Sequence, residues 1–357
     1  MNHRRDSKTM DPTQTPDSRL QTPDCVHDAI LIVSFGGPEG MDDVMPFLEN
    51  VLRGRNVPRE RMLGVAKHYE LFGGVSPINE QNRKLIEALR QELEAKGPRL
   101  PIYFGNRNWH PLLADTLRQM RDDGVKNALA FVTSAYSSYS SCRQYLEDIE
   151  HARESVGPEA PRVEKLRAFY NHPGFIEANV AQVRDALEQI PAERRRAARV
   201  VFTAHSIPES MAQNCDYEAQ LRETSRLIAN AMPARKWQLA FQSRSGSPAQ
   251  AWLGPDVCDA LRKLQAEGAK DVVVAPVGFV SDHMEIIYDL DTEAMTLSHE
   301  LGLNMIRAAT AGTHPAFIEM IRELIMERID STVARRSLGT DGPRSDVCHP
   351  GCCKANC

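Results

Sequence analysis

Six short apolar, β-branched runs, each separated from the next by amphipathic helical patterns, constrain this chain more than any other feature. They are Ala29–Phe35, Pro101–Phe104, Ala128–Thr133, Arg199–Thr203, Gln238–Phe241 and Val272–Pro276. The stretch Asp271-Val-Val-Val-Ala-Pro-Val-Gly-Phe279 is continuous enough to be a strand buried on both faces, as in a parallel sheet. Helical periodicity marks Asp42–Leu52, Glu80–Lys96, Pro111–Asp123, Phe175–Ile190, Tyr217–Ala231, Pro255–Glu267 and Pro315–Ile329. Asp123-Gly124 and Glu267-Gly268 read as helix stops before the next strand. Strands alternating with helices predict an α/β fold of parallel sheets flanked by helices.

A chain of 357 residues exceeds the usual size of one core, and three strands in each half predict two α/β lobes facing a cleft. The expected organisation is a disordered leader over 1–26, a first lobe over 27–160 and a final helix within 313–330. A second lobe covers 161–312, and a linker with a cysteine-rich tail covers 331–357. The leader, rich in Thr, Pro, Asp, Arg and Ser, has no apolar core of a secretory signal. No apolar stretch reaches the roughly 18 residues that span a bilayer, so the expectation is a cytoplasmic protein, with peripheral membrane contact left open. A net charge of -5 gives no electrostatic reason to expect nucleic acid, which points to a small-molecule substrate. Whether the protein is a monomer or a homodimer is open at this level. Four cysteines, Cys25, Cys142, Cys215 and Cys258, are scattered; Cys348, Cys352, Cys353 and Cys357 crowd the end, where metal ligation is a better reading than disulfides.

Chemistry concentrates where the strands end. After the last strand come Asp282, His283, Glu285, Asp289 and Glu293; spacings of three, four and four would stack the four acids on one helical face and raise one another's pKa. An imidazole two residues from a carboxylate beyond a buried strand suits proton or metal handling. Other strand ends carry Ser34-Phe-Gly-Gly-Pro38, Gly105-Asn-Arg-Asn-Trp-His-Pro111, the hydroxyl-rich Thr133–Ser141, and Thr203-Ala-His-Ser-Ile-Pro208, which leaves His205 at a strand tip. Arg107 could fork onto a carboxylate, and Trp109 could stack on a flat ring.

Together these segments resemble the ferrochelatases, enzymes that insert Fe2+ into a porphyrin late in haem synthesis. The resemblance rests on Ser34–Glu39, Gly73-Gly-Val-Ser-Pro77, Gly105-Asn-Arg107, Ala204-His-Ser-Ile-Pro208, Gln242-Ser-Arg-Ser-Gly246, Trp252-Leu-Gly-Pro255, and Ser281-Asp-His-Met-Glu285 with Tyr288 and Asp291, in family order. It implies two Rossmann-like lobes with porphyrin between them, a final helix over 313–330 packing back on the first lobe, and His205 and Glu285 as the catalytic pair contacting substrate Fe2+. It also implies His283 as a positioning partner and Asp282, Asp289 and Glu293 as a path for protons or cations. Phe35, Arg107, Tyr136, Ser137 and Trp252 would contact the porphyrin. Phe35 cannot ligate iron, so the metal would be held from the histidine side. Asn108-Trp109 is similar to the actinobacterial type, which takes coproporphyrin III, and protoporphyrin IX stays open as the alternative. A porphyrin carrier, or a chelatase for another metal such as cobalt, is the competing function.

The cysteine tail resembles the extension that carries a [2Fe-2S] cluster in some ferrochelatases. Adjacent cysteines rarely both face one cluster, so the expected ligands are Cys142, Cys348, Cys352 and Cys357, with Cys353 as the alternative to Cys352. A zinc site using His349 is the rival, and free thiols are the remaining option.

Overall fold

A computed structural model describes residues 27–54, 57–233, 236–245, 249–348 and 351–354. The expected leader, together with Cys25, His349 and Cys357, lies outside the described residues. The first half runs β1 (Ala29–Ser34), α1 (Met41–Val51), α2 (Arg59–Glu70), α3 (Ile78–Lys96), β2 (Ile102–Asn106), α4 (Leu113–Asp122) and β3 (Asn127–Val132). A π-helix (Tyr139–Arg143) then leads into α5 (Gln144–Val156) and β4 (Arg162–Lys165). The second half contains α6 (Pro173–Glu188), α7 (Ala192–Arg195), β5 (Arg199–His205), α8 (Glu209–Ala212), α9 (Tyr217–Asn230), β6 (Trp237–Gln242), α10 (Val257–Ala266) and β7 (Asp271–Ala275). It closes with α11 (Met284–Tyr288), a second π-helix (Asp289–Ala294), α12 (Met295–Glu300), β8 (Asn304–Arg307) and α13 (Pro315–Ile329).

The strands form two all-parallel, four-stranded sheets with the same winding, β2-β1-β3-β4 and β6-β5-β7-β8. In each, the chain lays its second strand on one side of the first and its third on the other. The crevice where the winding reverses, beyond the carboxyl ends of β1/β3 and of β5/β7, is where such sheets bind ligands. The two halves repeat topology without any repeat of sequence.

Alternation along the strands builds the core. Ile30 and Ile32 of β1, Leu129 and Phe131 of β3, Val200 and Phe202 of β5, and Val273 and Ala275 of β7 all point into one apolar core shared by both lobes. Their neighbours point outward: Leu31 and Ala130 beneath α4 and α5, Val201 and Val274 beneath α10 and the second π-helix. α13 packs on α6 of the second half and on α3 of the first.

Two boundaries differ from expectation. β4 pairs with β3, so the first sheet ends beyond residue 160; with the sequence Arg-Val-Glu-Lys it is a polar edge strand with no apolar signature. The segment expected as a linker after α13 is bonded along its length. Leu338 N donates to the Asn171 carbonyl at 2.8 Å, Asn171 Nδ2 to the Gly342 carbonyl at 2.9 Å, and Arg344 pairs with Asp216 at 2.9 Å. Buried Arg167 anchors this strap, holding Glu327 of α13 with both Nε and Nη2 and donating to the Arg336 carbonyl. Among the described residues, no helix is long and apolar enough to cross a membrane.

Candidate active site

The two winding-reversal points face one cavity of about 410 Å3, within the range of small-molecule sites. The first lobe contributes Phe35 and Gly36 from the end of β1, Arg107 and Asn108 from β2, and Thr133, Ser134 and Tyr136 from β3. The second contributes His205 from β5 and Gly278, Phe279, His283, Glu285 and Asp289 from beyond β7. Helices α1 and α2 cover the opening with Phe47, Leu48, Met62, Val65, His68 and Tyr69.

Glycine shapes both rims. Gly36 has φ +83°, and a Cβ there would lie 2.9 Å from Asn106 Cβ, so the turn after β1 needs its absence. A Cβ on Gly278 would lie 2.5 Å from Ala204 Cβ; the ends of β5 and β7 can converge only because that atom is missing.

That convergence brings together His205 and Glu285, with Nε2 3.4 Å from Oε1. His205 Nδ1 is bonded to the Ser206 carbonyl, which leaves Nε2 to the carboxylate. Burial opposes charge on the imidazole, but the Glu285 carboxylate outweighs it and raises the His205 pKa to about 9. Burial likewise works against the Glu285 charge, and His205 overcomes it, holding the acid well below its usual range. The resting pair is therefore imidazolium and carboxylate sharing one transferable proton.

His283 sits on the N-cap of α11, its Nδ1 accepting from Glu285 N at 3.2 Å, with its ring edge-on to Phe279. Burial lowers its pKa, so it stays neutral beside the charged pair. The acidic face begins at Glu285 rather than Asp282. Asp282 precedes the helix cap and turns away to Arg307, at 3.3 Å, and Thr310, while Asp291 holds the same arginine from the other side. Asp289 accepts from Ser243, and burial with the nearby Glu285 raises its pKa to about 7; burial also raises Glu293.

The expected porphyrin contacts divide. Phe35 is 37% exposed in the cavity, its ring edge-on to Phe47 at 6.2 Å and beneath the Arg107 guanidinium at 5.7 Å. Arg107 lines the wall but is committed: its side chain is only 5% exposed, ion-paired to Asp148 and laid over Tyr145 at 4.4 Å. Tyr136 lines the cavity, but its hydroxyl is committed, donating to the Val277 carbonyl at 2.8 Å. Ser137 is buried and clasped by Gln220 of α9, and Trp252 bridges to Pro208 outside the cavity lining. Hydroxyls on the first-lobe wall of the cavity include Thr133, Ser134, Ser140 and Ser141, with Gln144 beside them. Sequence reasoning also missed His68, whose ring stacks on Tyr288 at 3.6 Å and 8° and so ties α2 to α11 across the opening. Arg61 of α2 bonds the Ser245 carbonyl in the same sense.

Behind the first π-helix the thiols gather. Buried Cys142 is hydrogen-bonded to Cys348, which lowers the pKa of Cys348 to about 7, and Cys352 and Cys353 lie 3.4 Å apart, sulfur to sulfur. Thiols of this kind fit a thiolate-held metal group in donor chemistry. Among the described residues, however, no three His, Cys, Asp or Glu side chains are arranged as a formed metal site.

Residues 27–329 match the sequence model of the family described as ferrochelatase. A protein named ferrochelatase from Rhodopirellula baltica is 59% identical over 328 residues, covering 92% of this chain and 93% of that protein. A protein named coproporphyrin III ferrochelatase from Streptomyces coelicolor is 50% identical over 351 residues, covering 92% and 94%. Among solved structures, SirB from Bacillus subtilis with Fe3+ superposes with a TM-score of 0.55 at 12% identity, covering 87% of this chain and 99% of SirB, a likeness of fold alone.

Proposed function

This chain belongs to the ferrochelatase family, and from that membership we infer a porphyrin metal chelatase that inserts Fe2+ into its substrate in haem synthesis. The observation that carries the assignment to particular residues is the His205–Glu285 pair, 3.4 Å apart in the cavity between the two sheets.

Insertion exchanges two pyrrole protons for one Fe2+ ion, so the site must hold a flat ring, accept protons and admit a dication. Phe35 and the apolar faces of α1 and α2 pack the ring. Phe35 has no lone pair to offer, so substrate Fe2+ is held from the histidine side. An approaching dication repels the proton on His205 and frees the imidazole to bind metal or to take a pyrrole proton. Glu285 keeps its negative charge throughout and stabilises both the cation and the imidazolium. Protons leave by Asp289, whose pKa of about 7 lets it accept and release near neutrality, and then by exposed Glu293. The His68–Tyr288 stack and the Arg61–Ser245 bond hold α2 over the cavity, and these contacts limit water around the metal.

Coproporphyrin III is the substrate we favour. Its four propionates suit a wall with Thr133, Ser134, Ser140, Ser141, Gln144 and Asn108, more polar partners than the two propionates of protoporphyrin IX require. The tail thiols Cys142, Cys348 and Cys352 or Cys353, with Cys357, would hold a [2Fe-2S] group. When bound, it would supply a redox-active, thiolate-held cross-link between the tail and the first π-helix. Anaerobic turnover with Fe2+ is the test. We expect coproporphyrin III to exceed protoporphyrin IX in kcat/KM by about 10-fold or more, since a site built for polar groups rejects analogues that leave it unpaired. The opposite preference would overturn the substrate choice, and tight porphyrin binding without insertion would make the protein a carrier.

A further inference from the structure

His205 is the last residue of β5, Glu285 stands at the start of α11 beyond the loop that follows β7, and the backbone leading to each is held by the hydroxyl of a buried tyrosine. Tyr217, the first residue of α9, donates to the backbone carbonyl of His205 itself at 3.0 Å. Tyr136, beyond β3 in the other lobe, donates to the carbonyl of Val277 at 2.8 Å, just past β7 and on the segment that runs on to His283 and Glu285. The two rings meet edge-on, 6.0 Å apart at 84°, and Phe175 packs edge-on against Tyr136 from α6. Tyr136 is 1% exposed and Tyr217 4%.

Carbonyls at the carboxyl end of a parallel sheet have outrun their ladder partners, and inside a cleft they need a donor other than water. A phenol supplies one at the end of a rigid ring with few torsions, so it fixes position as well as satisfying the acceptor. Burial pushes both phenols far above their ordinary pKa, so they remain protonated donors over the whole working range. The ends of β5 and β7 already approach within the space freed by Gly278, so a displacement of one passes directly to the other.

We propose that Tyr136 and Tyr217 are paired positioning residues that set the spacing of His205 and Glu285, one phenol fixing the end of β5, the other the end of β7, each ring wedged against the other. This rests on the assignment of His205 and Glu285 as the insertion pair. Neither hydroxyl touches the reacting atoms; both act through the backbone that carries them.

The test uses the full-length protein with Tyr217→Phe, Tyr136→Phe and the double variant, which keep the rings and remove only the hydroxyls. Misplacing a reacting group by a fraction of an ångström costs rate more than binding, so Tyr217→Phe is expected to lower kcat about 10-fold while porphyrin KM stays within about 2-fold. The His205 imidazole titration, followed by NMR, shifts in the same variant. Because the two hydroxyls serve one brace, the double variant is expected to fall within about 2-fold of the slower single variant rather than at the product of the two effects. A thermal-unfolding midpoint that drops while kcat and the His205 titration stay at parent values would reduce the tyrosines to a structural role and overturn the proposal. A His205→Ala protein that inserts metal normally would instead remove the assignment on which the brace depends.

Discussion

Replacing Glu285 with Gln isolates the electrostatic centre of the site. With the carboxylate in place the His205 pKa stands at about 9; without it only burial remains as the leading influence, and the imidazole is expected to titrate at or below its ordinary 6.5. A gap of two to three pH units corresponds to about 3 kcal/mol between protonation states. His205 is 31% and Glu285 44% exposed, so solvent screens the pair, and its contribution to folding is about 1–2 kcal/mol. The sign follows from both partners. A histidine raised from 6.5 to about 9 gives stability that is full below 6.5 and lost as pH rises through 9. An acid lowered from 4.5 to about 2 gives stability present above 4.5 and lost as pH falls through 2. The pair therefore stabilises most between 4.5 and 6.5. NMR titration of the imidazole carbon in parent and Glu285→Gln protein, with His205→Ala for assignment, reads the first quantity, and thermal unfolding across pH reads the second. Persistence of a His205 titration near 9 in Glu285→Gln, or a stability gap that widens above 9, would refute the reasoning.

Asp289→Asn is expected to flatten the part of the rate–pH profile centred near 7, where the native carboxyl changes charge; an unchanged profile would exclude Asp289 from the proton path. Arg167→Met leaves buried Glu327 with only the longer, 3.6 Å contact to partly exposed Arg335, and breaking the buried pair costs up to about 3–5 kcal/mol, visible as a fall in the unfolding midpoint. Adding Glu327→Leu is expected to recover much of that loss; no recovery would mean that the cost lay in the strap. Cys142→Ser is expected to abolish any visible thiolate-to-iron absorption and acid-labile sulfide of the purified protein, whereas parent protein with stoichiometric zinc and no colour would replace the cluster with a zinc site.

The sequence made the inner strands plain because β1, β3, β5 and β7 are buried on both faces and need nearly unbroken apolar residues. The edge strands β4 and β8, four residues each and half polar, carry no such signature and emerge only from pairing. His205 was legible as the tip of buried β5, and Glu285 as part of the titratable cluster in the segment that runs on from buried β7. The rim residues were not, and the reasons are specific. An extra residue in the π-helical turn at 139–143 decides that Ser140 and Ser141 face the cavity while Ser137 turns toward Gln220. Arg107 is of a type that binds carboxylates, but the carboxylate it finds is Asp148, forty-one positions away in the chain. Asp282 shares the helical spacing of the other acids yet lies before the cap, where Arg307 claims it. Spacing predicts which side chains can share a face, while long-range partners decide which of them remain free.

The proposed function assigns metal insertion to His205 in the cleft between the sheets. Anaerobic single-turnover insertion of Fe2+ into porphyrin already bound to His205→Ala protein tests it most directly. Loss of a positioned base costs about 100-fold or more in rate, so the account predicts porphyrin binding close to that of the parent and an insertion rate reduced by at least that factor. Insertion at the parent rate, with porphyrin bound equally well, would contradict it.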